Sequence, residues 1–301
     1  MGIKSSLLVL LSCFVVVLFA VSGCLHGAGD TSSDDDIDDD TDDDIDDDVD
    51  DDSGDDDIAE ECDRGPTEVG ACAAVIYEDD VSAEAWKNFL YFNQVGVARV
   101  HKDLVESYDF DTAFGGEPVT ILIIEPHTTW SGTEGTDAEI AELLDGLGIP
   151  ILALGQGGLA FLGFTAAADA GLNESSLVVE DADGFYVLEP DDTIFDAPVN
   201  IEIPPDGFLH ILDHATDVVF VQYDSVPGDV DVLGALEDGS NLYNPVRYER
   251  YFFFGFEQDP ETDSVKADDD SDDDIEPEPG YNEDGNHLLW NIVHFLTELI
   301  G

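Results

Sequence analysis

The stretch Pro150-Ile-Leu-Ala-Leu-Gly-Gln-Gly-Gly-Leu-Ala-Phe-Leu162 decides the fold. Residues 149–154 form an apolar run of strand length, and Gly155, Gly157 and Gly158 interrupt it before apolar residues resume at helix-like spacing. The pattern therefore predicts a short buried strand, a glycine-rich turn and the first turns of a helix. In an α/β fold, such a turn lies at the carboxyl edge of a parallel sheet, where ligands and nucleophiles commonly lie.

Strand and helix patterns alternate on the N-terminal side of this turn. Apolar strands are predicted at residues 73–77, 97–100 and 119–124, one helix is predicted from a Ser82 cap through residue 92, and another over residues 136–147. This alternation predicts right-handed crossovers and a parallel sheet covered on both faces.

The pattern beyond Gly171 is rich in strands. Strands are predicted at residues 176–179, 185–188, 218–222 and 230–236, and a further segment, residues 244–256, contains the aromatic run 251–254. Apolar residues at helical spacing predict a closing amphipathic helix over residues 286–300.

The chain is extremely acidic. Its 301 residues carry 72 Asp+Glu against 8 Lys+Arg, a formal net charge of −64. Residues 34–57 contain 18 aspartates, which leaves 54 acidic residues elsewhere, so the globular part is acidic as well. We therefore expect no nucleic acid and no direct contact with anionic lipid, and a life at high salt is a further hypothesis.

Residues 1–23 are interpreted as an export signal. Lys4 precedes an apolar run over residues 7–21 that is short for a membrane-spanning helix. The sequence Val21-Ser22-Gly23-Cys24 resembles a bacterial lipobox, with Val in place of the commoner Leu at its first position. That resemblance implies cleavage before Cys24, acylation of Cys24 and a lipid bilayer as partner. The alternative is ordinary signal-peptidase cleavage, with Cys24 incidental.

The residue after this cysteine bears on localisation. Leu25 is not the Asp of inner-membrane retention, so we expect a lipid-anchored protein of the cell envelope, at the outer membrane or the cell surface.

Residues 24–60 are interpreted as a tether. Three aspartates and one spacer residue repeat through this segment, and such a charged pattern cannot bury a core. We expect a disordered acidic spacer, although weak calcium binding by the carboxylates is an alternative. The globular domain is assigned to residues 61–301, with an acidic loop near residues 267–279.

Two cysteines begin this domain. In an exported protein, Cys62 and Cys72 are expected to form a disulfide that closes a small loop, the alternative being two free thiols. Their spacing fits no zinc site, because there is no second pair.

The segment 150–162 resembles the nucleophile elbow of class I glutamine amidotransferase-like domains. Residues 194–198, 251–255 and 288–291 resemble the branch that includes trehalose-utilisation-type domains and β-galactosidase middle domains. Over residues 71–301, this resemblance implies a flavodoxin-like three-layer α/β sandwich with a mostly parallel sheet.

The chain departs from the family at the nucleophile. Gly155 stands where the family has its cysteine, and a glycine has no side chain that could attack a carbonyl. No His-x-Glu pair occurs in the expected late position, and His287 and His294 are expected on the closing helix. We therefore expect no glutaminase activity.

A cleft is nevertheless expected at the carboxyl edge of the sheet. Its candidate residues follow the predicted strands: Glu78, Asp79, His101, His127, Trp130, Gly155, Gln156 and Gly157. Backbone N–H groups of the glycine-rich turn could cradle an anion or a polar group. His127 beside Glu125 is the candidate general base, or else a solvated loop residue, and Trp130 could stack on a sugar or simply pack.

A metal site is a weaker hypothesis. His210, Asp213 and His214 lie within five positions, but no fourth ligand accompanies them, and no cofactor is expected.

Two functions follow from the sequence. The first is a lipoprotein whose non-catalytic domain binds a ligand or partner, and the second is a cell-surface hydrolase of carbohydrate or amide that uses His127 and nearby carboxylates.

Overall fold

A seven-stranded sheet is the centre of the fold in this computed structural model, which describes residues 71–113, 118–131, 136–258 and 280–299. Along these residues the chain forms β1 (Cys72–Tyr77), α1 (Asp80–Phe92), β2 (Gly96–His101), β3 (Ile121–Ile124), α2 (Thr136–Gly146), β4 (Ile151–Leu154), α3 (Gly155–Leu162), β5 (Leu177–Ala182), β6 (Gly184–Val187), β7 (Phe208–His210), β8 (Thr216–Gln222), β9 (Asp231–Val232), β10 (Gly234–Ala235), β11 (Leu242–Tyr243), β12 (Val246–Tyr248), β13 (Tyr251–Phe254) and α4 (Glu283–Glu298).

The strand order places β4 between two parallel neighbours. The order is β2-β1-β3-β4-β13-β12-β9; the first five strands are parallel, and β12 and β9 are antiparallel additions at one edge. Leu154, the last residue of β4, lies beside Phe254, the last residue of β13. The prediction of a mixed α/β domain with a mostly parallel sheet is confirmed.

Successive side chains of each strand point to opposite faces of this sheet, and helices cover the apolar side chains on both faces. One face packs Ile76, Leu122 and Ala153 against residues of α2 and α3 such as Leu144 and Phe161. The other face packs Val75, Ile123 and Leu152 with Trp86 of α1 and Leu289 of α4. Every residue of β3 and β4 is 0% exposed, so replacing any of their large side chains by Ala would cost about 2–5 kcal/mol.

A second sheet holds most of the later strands. It has six antiparallel strands in the order β5-β8-β11-β10-β6-β7. The single strand predicted over residues 230–236 is wrong, since β9 belongs to the first sheet and β10 to the second. Leu233 marks the crossing: its N–H donates to the carbonyl of Pro245 at 3.0 Å, and its carbonyl accepts from the N–H of Leu188 at 3.0 Å.

Two helix starts differ from the predictions. Helix α1 is capped by Asp79, whose Oδ1 accepts from the N–H groups of Val81 at 2.9 Å and Ser82 at 3.2 Å, so the Ser82 cap is wrong. Helix α4 begins at Glu283 because Asn282 caps it through the N–H of Gly285 at 2.9 Å.

The leader, Cys24, the tether, Cys62 and the acidic loop near residues 267–279 lie outside the described residues, so the interpretations placed on them stay predictions. Cys72 itself is buried at the start of β1. Among the helices that the structure describes, none combines the length and the apolar character needed to cross a bilayer.

Candidate functional site

The turn from β4 into α3 is tight because of its glycines. Leu154 is extended, and Gly155, the first residue of α3, has a φ of +52°, a left-handed conformation that favours glycine. A Cβ atom on Gly157 would lie 2.5 Å from the carbonyl oxygen of Thr128. Glycine at this position therefore lets the first turn of α3 approach the loop that follows β3.

Glu257 occupies the space beside this turn. A Cβ atom on Gly155 would lie 2.6 Å from Cγ of Glu257 and 2.8 Å from Cβ of Pro126. Oε1 of Glu257 accepts from the N–H of Gln156 at 2.8 Å, and the N–H of Gly157 donates to the carbonyl of Pro126 at 2.9 Å. The anion cradle predicted at this turn is therefore filled by the chain's own carboxylate, at the positive end of the helix dipole.

Glu257 is not among the residues predicted from the sequence. A signal for it exists, because Glu257 comes three residues after the aromatic run that forms β13. Since β13 is parallel to β4, the segments that follow the two strands meet at the same edge of the sheet.

The loop after β3 is organised by Glu125. This carboxyl group is 0% exposed; it accepts from the N–H of His127 at 3.0 Å and from Oγ1 of Thr128 at 3.0 Å, and Ser82 also hydrogen-bonds it. Burial raises the pKa of Glu125 above its ordinary value, although these hydrogen bonds and the nearby His127 oppose the shift. His127 itself is exposed.

A buried lysine fastens the same loop to its neighbours. Lys102, only 4% exposed, follows β2 and lies 2.8 Å from Oδ1 of Asp137 and 3.3 Å from Oε1 of Glu78. Its Nζ also donates to the carbonyl of Thr129 and lies 4.8 Å from the ring centroid of Trp130. One ammonium group thus joins the segments that follow β1, β2 and β3 to the first turn of α2.

The partner carboxylates are held in their charged forms. Burial acts to raise the pKa of Glu78, but hydrogen bonds from Thr129 and the charge of Lys102 outweigh it and hold that pKa below its ordinary value. The pKa of Asp137 is likewise lowered: burial opposes the shift, but the hydrogen bond from Lys102 and one from the N–H of Ser131, at 2.7 Å, outweigh it.

A cavity of about 300 Å³ lies between the elbow and this loop. Its wall includes His127, Thr129, Trp130, Gln156, Glu174 and Glu257. A neighbouring cavity of about 330 Å³ shares Trp130, Ala160 and Glu174 with it. Trp130 is only 5% exposed and packs edge-on against Phe161 at 5.0 Å, so most of its ring is committed to the core.

The structure brings four of the eight candidate cleft residues into this wall, namely His127, Trp130, Gln156 and Gly157. The other four are not among the lining residues. Glu78 binds Lys102, Asp79 caps α1, and Gly155 lies beneath Glu257. His101 packs edge-on against Tyr77 at 5.4 Å and accepts from the N–H of Asp103.

The histidines of the metal hypothesis and those of the closing helix also lie outside the wall of the cavity. Nδ1 of His210 lies 2.9 Å from Oδ2 of Asp183, whereas Asp213 and His214 are exposed. In the described part of the chain, no group of three His, Cys, Asp or Glu side chains could hold a metal ion. His287 and His294 are partly exposed on α4.

Comparison with known proteins identifies no family. No family model and no curated protein matches this chain. Among solved structures, the chain is similar to a candidate GMP synthase subunit from Thermoplasma acidophilum, with 11% identity and a TM-score of 0.42, over 76% of this chain and 96% of that chain. A likeness this distant supports no inference about function.

Proposed function

We propose that this chain is a lipid-anchored surface protein whose α/β domain binds a ligand in the cavity beside the elbow and does not cleave it. One observation carries the proposal: the carboxylate of Glu257 fills the space over Gly155 and accepts the N–H of Gln156. An acyl-transfer site needs a nucleophile at the elbow and free N–H donors for the developing oxyanion. Here the nucleophile's side chain is absent, and the Gln156 donor is already used.

The strand order supports the location of the cleft. The parallel order β2-β1-β3-β4-β13 is that of a flavodoxin-like sheet, in which ligands bind beyond the carboxyl ends of the strands. The cavity lies at that edge, next to the β4–α3 turn. The interpretation as an amidotransferase-like domain without its nucleophile agrees with this arrangement.

The anchor rests on the sequence alone. Acylation of Cys24 would hold the protein on the bilayer, and the aspartate-rich tether would keep the domain away from it. We expect a Cys24→Ser protein to leave the membrane fraction; retention there would contradict acylation.

The Cys62–Cys72 disulfide belongs to the same proposal and is tested by the mass of cysteine-alkylated peptides with and without reductant.

A surface hydrolase is the second candidate. His127 lies in the same cavity wall as the carboxylates of Glu174 and Glu257, and an imidazole with two carboxylates can perform acid–base chemistry. No contact between His127 and either carboxylate is present among the described residues, whereas a general base needs hydrogen-bond reach of its proton.

Binding and turnover measured together separate the two functions. The full chain, purified in detergent, is titrated by NMR with sugars, amino acids and amides, and the same preparation is assayed against chromogenic glycosides and amides. We expect saturable shifts at the cavity without turnover. Turnover that is lost in His127→Ala and kept in His287→Ala would overturn the binding proposal in favour of the hydrolase.

A further inference from the structure

We infer that the ligand of this cavity is a small organic cation with a primary ammonium group, and that Glu257 is the residue that recognises it. The inference rests on the proposed binding function and adds the chemical class of the ligand.

The charges of the wall are all negative. Glu174 and Glu257 line the cavity, and among the residues that the structure describes no lysine or arginine does so. Within the described ranges, each basic side chain is already paired with a carboxylate: Lys87 and Arg99 with Glu84, Lys102 with Glu78 and Asp137, Arg247 with Asp192 and Asp231, and Arg250 with Asp145. An anionic ligand would therefore meet two like charges and, in the described part of the wall, no compensating cation.

The hydrogen-bond donors of the wall are largely committed to the protein. The N–H of Gln156 is given to Glu257, and that of Gly157 to Pro126. The N–H and the hydroxyl of Thr129 are both given to Glu78. Of the lining groups, the His127 ring and the Gln156 amide remain as donors, and each of these can also accept. The indole N–H of Trp130 also has no hydrogen-bond partner among the described residues, but it is buried and out of reach of a ligand in the cavity.

The acceptors, in contrast, have capacity left. A carboxylate offers about four acceptor positions, and in the described structure Glu257 uses one of them, through Oε1. That bond to the N-terminus of α3 fixes the carboxylate, and no lysine, arginine or histidine within the described ranges forms an ion pair with it. A compact ammonium group with three donors suits such a fixed, partly satisfied carboxylate better than an anion or a neutral alcohol does.

The charge of the whole chain acts in the same direction. A net charge of −64 concentrates cations at the protein surface and repels anions. Because this general attraction would also produce non-specific binding, the test has to separate the cavity from the surface as a whole.

Three probes that share a benzyl-type ring make this separation: benzylamine, benzyl alcohol and benzoate. Each is titrated into the full chain at about 1 M NaCl, where the Debye length is about 3 Å, and the backbone N–H signal of Gln156 reports on the cavity. We expect saturable binding of benzylamine, weakened roughly tenfold in Glu257→Gln and in Glu174→Gln. Glu142→Gln, which removes the same charge from an exposed position on α2, should leave the dissociation constant unchanged.

Several results would overturn the inference. One is that benzyl alcohol or benzoate binds the cavity as tightly as benzylamine, which would leave the binding function standing. Others are that none of the three probes shifts the Gln156 signal, or that all three Glu→Gln variants weaken benzylamine equally. Turnover of a substrate, by contrast, would refute the binding function itself.

Discussion

Replacing Lys102 by Met removes the ammonium group that joins four segments at the carboxyl edge of the sheet. Methionine keeps most of the apolar length of the lysine side chain, so packing changes little while the charge is lost. Glu78 and Asp137 then remain close together without a cation between them, and the carbonyl of Thr129 loses a donor.

The expected cost follows from burial. Breaking a buried ion pair by removing one partner costs about 3–5 kcal/mol. The side chain of Lys102 is 5% exposed, but those of Glu78 and Asp137 keep 33% and 18% exposure and can regain water. We therefore expect the low end, about 3 kcal/mol, which corresponds to a fall in Tm of roughly 6–12 °C for a domain of this size.

The assay is denaturant unfolding of both proteins at neutral pH, with Lys87→Met as the control. Lys87 is partly exposed and forms a 3.8 Å ion pair with Glu84, so its loss should cost less than about 1 kcal/mol.

The difference in free energy of unfolding between wild type and Lys102→Met should also depend on pH. Because the pKa values of Glu78 and Asp137 are lowered in the folded state, their stabilisation is complete above the ordinary carboxyl pKa of about 4 and is lost as the pH falls through the lowered values. A loss below about 1 kcal/mol, or a difference that does not shrink in acid, would refute this reasoning.

Three further outcomes are expected. Gly155→Ala should lower the free energy of unfolding by roughly 2–3 kcal/mol, because of the positive φ and the contact between the added Cβ atom and Glu257. In a Glu257→Ala background the loss should be about half as large, and equal losses in both backgrounds would exclude the contact. For Glu125, whose pKa is raised in the folded state, the wild type should gain stability relative to Glu125→Gln as the pH falls from 8 to 5, measured by urea unfolding at each pH; a constant difference would contradict an ionisable buried carboxyl at this position. The free energy of unfolding of the full chain should rise with NaCl up to about 1 M because salt screens the self-repulsion of a chain with net charge −64, and an unchanged urea midpoint would argue against the high-salt hypothesis.

Local patterns predicted the elements that carry the site. The strand and turn around Gly155 could be predicted because an apolar run, three glycines and a resumed apolar pattern lie within one short segment. Helix α1 was predicted from the spacing of Trp86, Phe89, Leu90 and Phe92; the first three are buried, whereas Phe92 is 52% exposed. His127 and Trp130 were placed at the cavity because they directly follow a strand.

The residues that the sequence did not reveal act across long separations. Glu257 contacts a turn 101 positions earlier in the chain, and Lys102 reaches the carbonyl of Thr129, 27 positions later. Neither contact leaves a local pattern. The second sheet was not predicted because its strands are two to seven residues long and the crossing at Leu233 lies inside one apolar run.

The position of β13 has a consequence for the order in which the chain is made. Strand β4 leaves the ribosome about a hundred residues before the strand that pairs with one of its sides. Until that partner is synthesised, an apolar edge with unpaired backbone groups stays open to neighbouring chains, which is a setting for aggregation. Nascent chains that end before residue 251 should therefore associate far more readily than the complete chain, as sedimentation of the two would reveal.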